Sequence, residues 1–204
     1  MRFLPSQEIM KNDFYKYQAQ TTPHPLAIEI SHAKGCYIYD IKGKEYLDFI
    51  AGVSASSLGH CHPKVISAVK NQLDKYLHVM VYGEFIQEPA VELTKLLSGL
   101  LPDNLTTTYL TNSGTEAIEG SIKLARRATG RKEIIYAKKA YHGNTMGALS
   151  IMGVEERKEI FQPLLPDCNS IEFNNEKDIL KITSKTAGVV LETIQGGAGF
   201  IVPK

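Results

Sequence analysis

The sequence predicts an α/β protein with a mainly parallel sheet, helices on both faces of that sheet, and a small antiparallel segment before it. Three observations support this prediction. Short β-rich runs come first, the apolar residues then change to helical spacing, and from about residue 106 strands and helices alternate. The continuous apolar run at residues 187–191 is typical of a parallel strand that is buried on both faces.

The first fifty residues combine one helical pattern with three β-rich runs. The helical pattern covers residues 6–20 and stops at the prolines of residues 23–25. A Lys-Gly turn at residues 42–43 joins the last two β-rich runs, so we predict a small antiparallel sheet. The small residues at 51–59 mark a plausible internal boundary. The β-rich runs lie at residues 27–32, 36–40 and 45–50.

Beyond Pro63 the sequence predicts helices and then alternating elements. One helix begins at Pro63, where proline suits a first turn, and a second covers residues 88–101. The alternation that follows predicts βα units and a parallel sheet. The predicted strands are residues 106–111, 133–137, 170–173 and 187–191, and the predicted helices are residues 115–129, 145–152 and 176–184.

Composition and charge argue against several classes of protein. With 23 Lys+Arg and 22 Asp+Glu the formal net charge is +1, which gives no global electrostatic reason to bind nucleic acid or an anionic membrane. No apolar run approaches the ~18–20 residues of a membrane span, and the N-terminus lacks the apolar region of a signal peptide. The three cysteines are widely spaced, so we expect a reducing, cytoplasmic location.

A Ser-Gly-Thr turn between a predicted strand and a predicted helix is the sharpest local feature. The first N–H groups of a helix have no intrahelical partner, and the helix dipole adds positive charge there. Gly114 lets an oxyanion approach the backbone, and the hydroxyls of Ser113 and Thr115 add donors, which predicts a phosphate site. The alternative is an ordinary N-cap with Glu116 in the first turn, and the local residues leave both interpretations open.

Two further loops follow predicted strands and carry residues that suit a ligand. Tyr141 and His142, beside Gly143, could form a stacking platform for a flat cofactor, although Tyr141 could equally pack at a helix entrance. Glu192 begins a glycine-rich loop directly after a buried strand, where α/β proteins place ligands.

One short motif suggests a metal ion. His60, Cys61 and His62 follow one another in a single loop. Neighbouring residues of one short loop rarely complete a coordination shell, and the sequence has no second cluster. We therefore predict no metal site.

Four motifs, in order and spacing, resemble the class III aminotransferases, which are fold-type-I enzymes that depend on pyridoxal phosphate. The resemblance covers the chain from about residue 27 to residue 203. It implies transfer of an amino group from an amino acid donor to a 2-oxo acid acceptor, by a homodimer, with no nucleic acid or membrane partner. The motifs are residues 58–63 (LGHCHP), 112–117 (NSGTEA), 141–145 (YHGNT) and 192–196 (ETIQG).

The resemblance also implies a role for individual residues. The first three of the implied cofactor residues hold the phosphate, the next two lie against the pyridine ring, and the last lies near both cofactor and substrate. Val53 and Ser54 line the substrate entrance and face a dimer partner. The implied cofactor residues are Ser113, Gly114, Thr115, Tyr141, His142 and Glu192.

By the same resemblance this chain is the amino-terminal half of an enzyme. Residues 1–57 are the N-terminal segment of the small domain, and residues 58–204 are the first part of the large cofactor-binding domain. The Asp that pairs with the pyridine nitrogen and the Lys that forms the Schiff base fall beyond Lys204. No catalytic residue is therefore expected within this span, and we expect the 204-residue chain alone to be inactive.

Other functions share the same phosphate and ring sites. An aminomutase, an epimerase or a decarboxylase of this family would carry the same motifs, and a truncated paralogue without activity is a further alternative. The loop at residues 192–197 departs from the Glu-Pro-Ile-Gln-Gly-Glu of many relatives that use ω-amino donors. Gly197 replaces the final Glu, which by resemblance masks a substrate-binding Arg. We therefore predict a preference for donors that present a carboxylate, such as glutamate or another α-amino acid.

Overall fold

The computed structural model describes residues 7–80 and 82–204 and contains two three-stranded sheets of different type. The chain divides into two compact units, Met1–Ile86 and Gln87–Lys204. The predicted domain boundary between residues 57 and 58 stays a prediction. Within the described ranges, no helix combines the length and the apolar character needed to cross a bilayer.

The first unit contains the antiparallel sheet that the sequence predicts. Its strands lie in the order β1-β2-β3, and both neighbouring pairs are antiparallel. Asp40 shapes the turn between the last two strands, because its Oδ1 accepts from the backbone N–H groups of Lys42 and Lys44, each at 2.9 Å. Ser6, where we predicted the first helix to begin, lies outside the described residues. The first helix and the three strands of this sheet are α1 (Gln7–Tyr17), β1 (Ile30–Lys34), β2 (Tyr37–Asp40) and β3 (Glu45–Leu47).

Part of the predicted small-residue loop forms a single left-handed turn, α2 (Ala51–Ser54). All four of its residues have φ between 49° and 67°, which costs energy for every residue except Gly52. Asp48 holds the entry to this turn. Its Oδ1 accepts from the N–H groups of Ile50, at 2.9 Å, and Ala51, at 3.0 Å.

Two amphipathic helices follow, α3 (Pro63–Leu73) and α4 (Glu88–Leu100). Each carries a proline in its first turn, as the sequence predicts. Neither helix has a buried residue among those that the structure describes, so their apolar stripes lie exposed.

The second unit contains the predicted parallel sheet, in the order β5-β4-β6 with both pairs parallel. Its strands are β4 (Glu133–Ala137), β5 (Cys168–Ile171) and β6 (Thr186–Val190). Residues 134–137 of the central strand are all buried. Successive side chains of a strand point to opposite faces, so both faces of the sheet are covered.

The second unit, which also includes α4, contains α5 (Gly114–Thr129) and α6 (Met146–Ser150). Ile122 of α5 joins the core formed with β4. The predicted helix at residues 176–184 is instead a shorter 3₁₀ segment, Glu176–Lys181. The β-branched residues 179, 182 and 183 disfavour an α-helix there. The core cluster consists of Ile122, Ile134, Tyr136 and Ile151.

One predicted strand is wrong. Residues 106–111 lie in no strand, because no segment of the described ranges 7–80 and 82–204 forms a hydrogen-bonded ladder with them. A strand is defined by its partner, whereas a helix satisfies its own backbone groups. The segment leads directly into the turn that begins α5.

Candidate functional site

A cavity of about 730 Å³ lies beyond the carboxyl end of β4, against the first turn of α5. Gly114, Thr115 and Ile118 line it from the helix, and residues 141–145 line it from the loop that follows β4. Parallel α/β sheets bind ligands outside the carboxyl ends of their strands. The cavity therefore lies where the fold places a ligand.

The N-terminal turn of α5 is capped and still presents backbone donors. Ser113 is the N-cap, and its Oγ accepts from the N–H of Glu116 at 3.3 Å. The Glu116 carboxylate in turn accepts from the N–H of Asn112 at 2.8 Å. The N–H groups of Gly114 and Thr115 have no intrahelical partner. The cap and the anion site, which were alternatives at the level of sequence, are therefore compatible.

The loop at residues 141–145 packs closely against this turn because it contains a glycine. Gly143 has φ of 127°, and a Cβ there would overlap the side chain of Thr115. Thr145 Oγ1 lies 2.7 Å from Thr115 Oγ1. We call the loop at residues 141–145 the ring side of the cavity and the turn at residues 113–115 the phosphate side. The two sides thus contact each other through side chains as well as through the backbone.

His142 is a buried polar residue of the cavity lining. The side chain is buried, and its Nε2 has no hydrogen-bond partner among the residues that the structure describes. Burial lowers the pKa of His142 below its ordinary value of 6.5, although the charge of Glu192 acts in the opposite direction. Leaving a buried polar atom unpaired costs about 1–3 kcal/mol. A neutral imidazole without a partner, beside a cavity, fits a site built for a bound group.

Glu192 reaches the same region from the end of β6. Its Oε2 accepts from the N–H of Tyr141 at 3.3 Å, and its Oε1 accepts from the N–H of Gly196 at 3.3 Å. Gln195 anchors the glycine loop, because its buried amide donates to the carbonyl of Lys138 at 2.8 Å. Sequence reasoning missed Gln195, since no periodicity or spacing distinguishes it within its motif.

Sequence reasoning also missed Glu119, which lies one helical turn after Thr115. Its Oε1 accepts from the hydroxyl of Thr145 at 2.5 Å and from the N–H of Gly147 at 2.8 Å. Residues four apart share one helix face, so the spacing from Thr115 was a signal that could have found it.

The structure brings the predicted cofactor residues together, whereas the predicted substrate residues belong to the other compact unit. Val53 and Ser54 lie in α2, and Val53 is 86% exposed. Tyr141 is 44% exposed and His142 is 9% exposed. Of the predicted cofactor residues, four line the cavity: Gly114, Thr115, Tyr141 and His142. Glu192 accepts from the N–H of Tyr141, and Ser113 is the N-cap directly before Gly114.

The first histidine of the His-Cys-His motif at residues 60–62 contacts an acidic side chain. His60 Nε2 lies 2.7 Å from Asp48 Oδ2, the carboxylate that holds the entry to α2. Within residues 7–80 and 82–204, no group of three or more His, Cys, Asp or Glu side chains is arranged to hold a metal ion.

Solved structures with the same architecture define the class of protein. The chain superposes with a TM-score of 0.85 on adenosylmethionine-8-amino-7-oxononanoate aminotransferase from Methanocaldococcus jannaschii, at 29% identity, over 96% of this chain and 49% of that one. The TM-score is 0.84 for taurine:2-oxoglutarate aminotransferase from Bifidobacterium kashiwanohense, solved with pyridoxal phosphate and glutamate, at 26% identity over 100% and 51% of the two chains. The fold is that of the fold-type-I, pyridoxal-phosphate-dependent transaminases.

The chain belongs to the class III aminotransferase family, whose sequence profile matches residues 17–204. Acetylornithine aminotransferase from Clostridium acetobutylicum is 41% identical over 184 residues, which are 87% of this chain and 46% of that protein. The chain thus spans about half the length of the curated relatives that it matches. The resemblance drawn from the four motifs is confirmed, and the enzymes of this family depend on pyridoxal phosphate.

Proposed function

We propose that the complete enzyme to which this chain belongs transfers an amino group from an amino acid to a 2-oxo acid. This chain supplies the phosphate side and the ring side of the cofactor site. The observation that carries the proposal is the cavity lined both by the N-terminal turn of α5 and by His142, whose buried Nε2 has no hydrogen-bond partner among the described residues. Membership of the class III family supports the same conclusion.

The residues of the cavity suit pyridoxal phosphate. The N–H groups of Gly114 and Thr115 and the Ser113 hydroxyl, whose proton is not used by the cap, would hold the phosphate dianion. Tyr141 and His142 would hold the pyridine ring, and Glu192 would border the site, because its carboxylate accepts from the N–H of Tyr141. When bound, the cofactor supplies an electron sink for the carbon that loses its amino group.

The proposal also concerns the substrate, through residues of the first unit and of the glycine-rich loop at residues 192–199. Val53 and Ser54 line the substrate entrance, and the left-handed turn presents Val53 to solvent. Gly197 leaves a substrate-binding Arg of the complete enzyme unmasked, so donors that present a carboxylate are preferred. The complete enzyme is a cytoplasmic homodimer.

Titration of the complete enzyme with pyridoxal phosphate, followed by absorbance, tests the cofactor site. Ser113→Ala should weaken binding by about 1–3 kcal/mol, or roughly 5- to 150-fold, because a charged oxygen loses a donor. Ser121→Ala is the matched control, since its hydroxyl donates to the carbonyl of Ile118 within the same helix, away from the N-terminus. Equal affinities for both variants and the unaltered enzyme would contradict the phosphate assignment.

A panel of amino donors and 2-oxo acid acceptors tests the reaction. We expect amino transfer, with a higher kcat/KM for glutamate or another α-amino donor than for 4-aminobutyrate. For ornithine, the amino group that is lost must be identified, because the molecule carries both kinds. A cofactor-loaded enzyme that racemises, isomerises or decarboxylates amino acids without transferring nitrogen would exclude the aminotransferase.

A further inference from the structure

The Glu119 carboxylate accepts three hydrogen bonds from the segment that follows β4. Its Oε1 accepts from the Thr145 hydroxyl at 2.5 Å, from the Gly147 N–H at 2.8 Å and from the Ala148 N–H at 3.2 Å. The last two N–H groups belong to the first turn of α6 and have no partner within their own helix. One carboxylate of α5 thereby caps α6 and holds the loop that precedes it.

The hydrogen bonds that link Glu119, Thr145 and Thr115 have a defined donor and acceptor at each step. An ionised carboxylate only accepts, so the Thr145 hydroxyl donates to Glu119. A hydroxyl has a single proton, so across the 2.7 Å contact Thr145 accepts and Thr115 donates. The Thr115 proton is then directed toward Thr145, and Thr115 offers a phosphate its backbone N–H.

Two glycines make these contacts possible. A Cβ at Gly147 would overlap the carboxylate of Glu119, and a Cβ at Gly143 would overlap the side chain of Thr115. The loop is therefore in close contact with α5 at two points along its length. Between those points its position relative to the helix is fixed.

We propose that Glu119 is a positioning residue that sets the spacing between the ring side and the phosphate side of the site. The proposal rests on the proposed function and extends it. A ligand that touches both sides binds as two linked halves, and linkage improves affinity only when the spacing of the two subsites matches the ligand. Without Glu119 each half-site remains, but the spacing between the halves is no longer held.

Three probes separate positioning from a general loss of structure. In the complete enzyme, Glu119→Ala and Thr145→Val should each weaken pyridoxal phosphate at least about tenfold. The same variants should change the affinities for pyridoxal alone and for inorganic phosphate alone by less than about threefold. Thr145→Ser keeps the hydroxyl and should restore affinity, and Lys123→Ala, an exposed change on the same helix, should have no effect.

Hydrogen exchange of the cofactor-free enzyme gives a second readout that does not depend on the ligand. The amides of residues 141–148 should exchange faster in Glu119→Ala and Thr145→Val, but not in Thr145→Ser or Lys123→Ala. Unchanged exchange in both disruptive variants would overturn the inference, and so would equal losses of affinity for all three probes. If the unaltered enzyme bound no pyridoxal phosphate, the proposed function would fail, and the exchange data would still decide the role of Glu119.

Discussion

At the scale of single residues, two glycines with positive φ have different surroundings. Gly130, at 68°, has open space where a Cβ would project, whereas Gly143, at 127°, has the Thr115 side chain there. Gly130→Ala should cost about 1 kcal/mol through backbone strain. Gly143→Ala should cost about 1–3 kcal/mol more, because the added methyl overpacks the site. Urea unfolding of both variants of the complete enzyme measures the difference, and equal losses would contradict the close approach.

Asp48 gives a second prediction, on pH. Its hydrogen bond to the His60 ring, with those from the N–H groups of Ala51 and Ile50, lowers its pKa below the ordinary value of 3.8. A carboxyl whose folded pKa is lowered stabilises the native state above its ordinary pKa, and that contribution disappears as the pH falls through the folded value. Asp48→Asn should therefore reduce Tm at neutral pH and progressively less in acid.

Thermal unfolding between neutral pH and about pH 3 checks this prediction. Asp13→Asn, an exposed change in α1, is the control, and it should leave the pH profile of Tm unchanged. A difference between Asp48→Asn and the unaltered protein that stays constant down to the lowest pH would show that the Asp48 charge is not the cause.

At the scale of elements, Arg126 connects the end of α5 to the starts of two strands. Its Nε donates to the carbonyl of Lys132, and its Nη2 donates to the carbonyl of Pro166, each at 2.8 Å. Hydrogen bonds from charged groups contribute about 1.5–3 kcal/mol, so Arg126→Ala should lower the free energy of unfolding by about that amount. Arg127→Ala, its exposed neighbour, should change it by less than about 0.5 kcal/mol. Denaturant unfolding distinguishes the two, and similar losses would refute the role of Arg126.

The elements also differ in how well the sequence predicts them. The sequence predicts β4 at residues 133–137, as observed, and it predicts α5 to within one residue at its start. Capping residues and an apolar strand flanked by polar residues are local signals. The predicted strand at residues 106–111 is wrong because strand formation depends on a partner that local sequence does not specify.

At the scale of the whole molecule, two helices present continuous apolar stripes to solvent. The chain therefore exposes more apolar surface than a soluble monomer usually does. We expect the 204-residue chain, produced alone, to self-associate and to bind an apolar dye. Light scattering at several concentrations measures this association. The exposed stripe residues are Val65, Ile66, Val69 and Leu73 of α3 and Val91, Leu93, Leu96 and Leu100 of α4.

Charged substitutions within one stripe test the cause. Val69→Lys with Leu73→Glu should reduce both association and dye binding, because they interrupt the apolar surface of α3. Lys64→Glu with Lys70→Glu, which change exposed charges on the same helix, serve as the control. A chain that stays monomeric at all concentrations and binds no dye would contradict the prediction.

The sequence by itself determines the class of fold and the family, and it predicts the residues of the phosphate and ring sides of the site. These follow from local patterns, since caps, apolar periods and short motifs act over a few neighbouring residues. Only the tertiary structure shows that Glu119 holds Thr145, 26 residues away, and that Asp48 and His60 meet beside a left-handed turn. These contacts join segments that are distant in sequence, and their geometry exists only after the chain has folded around its core.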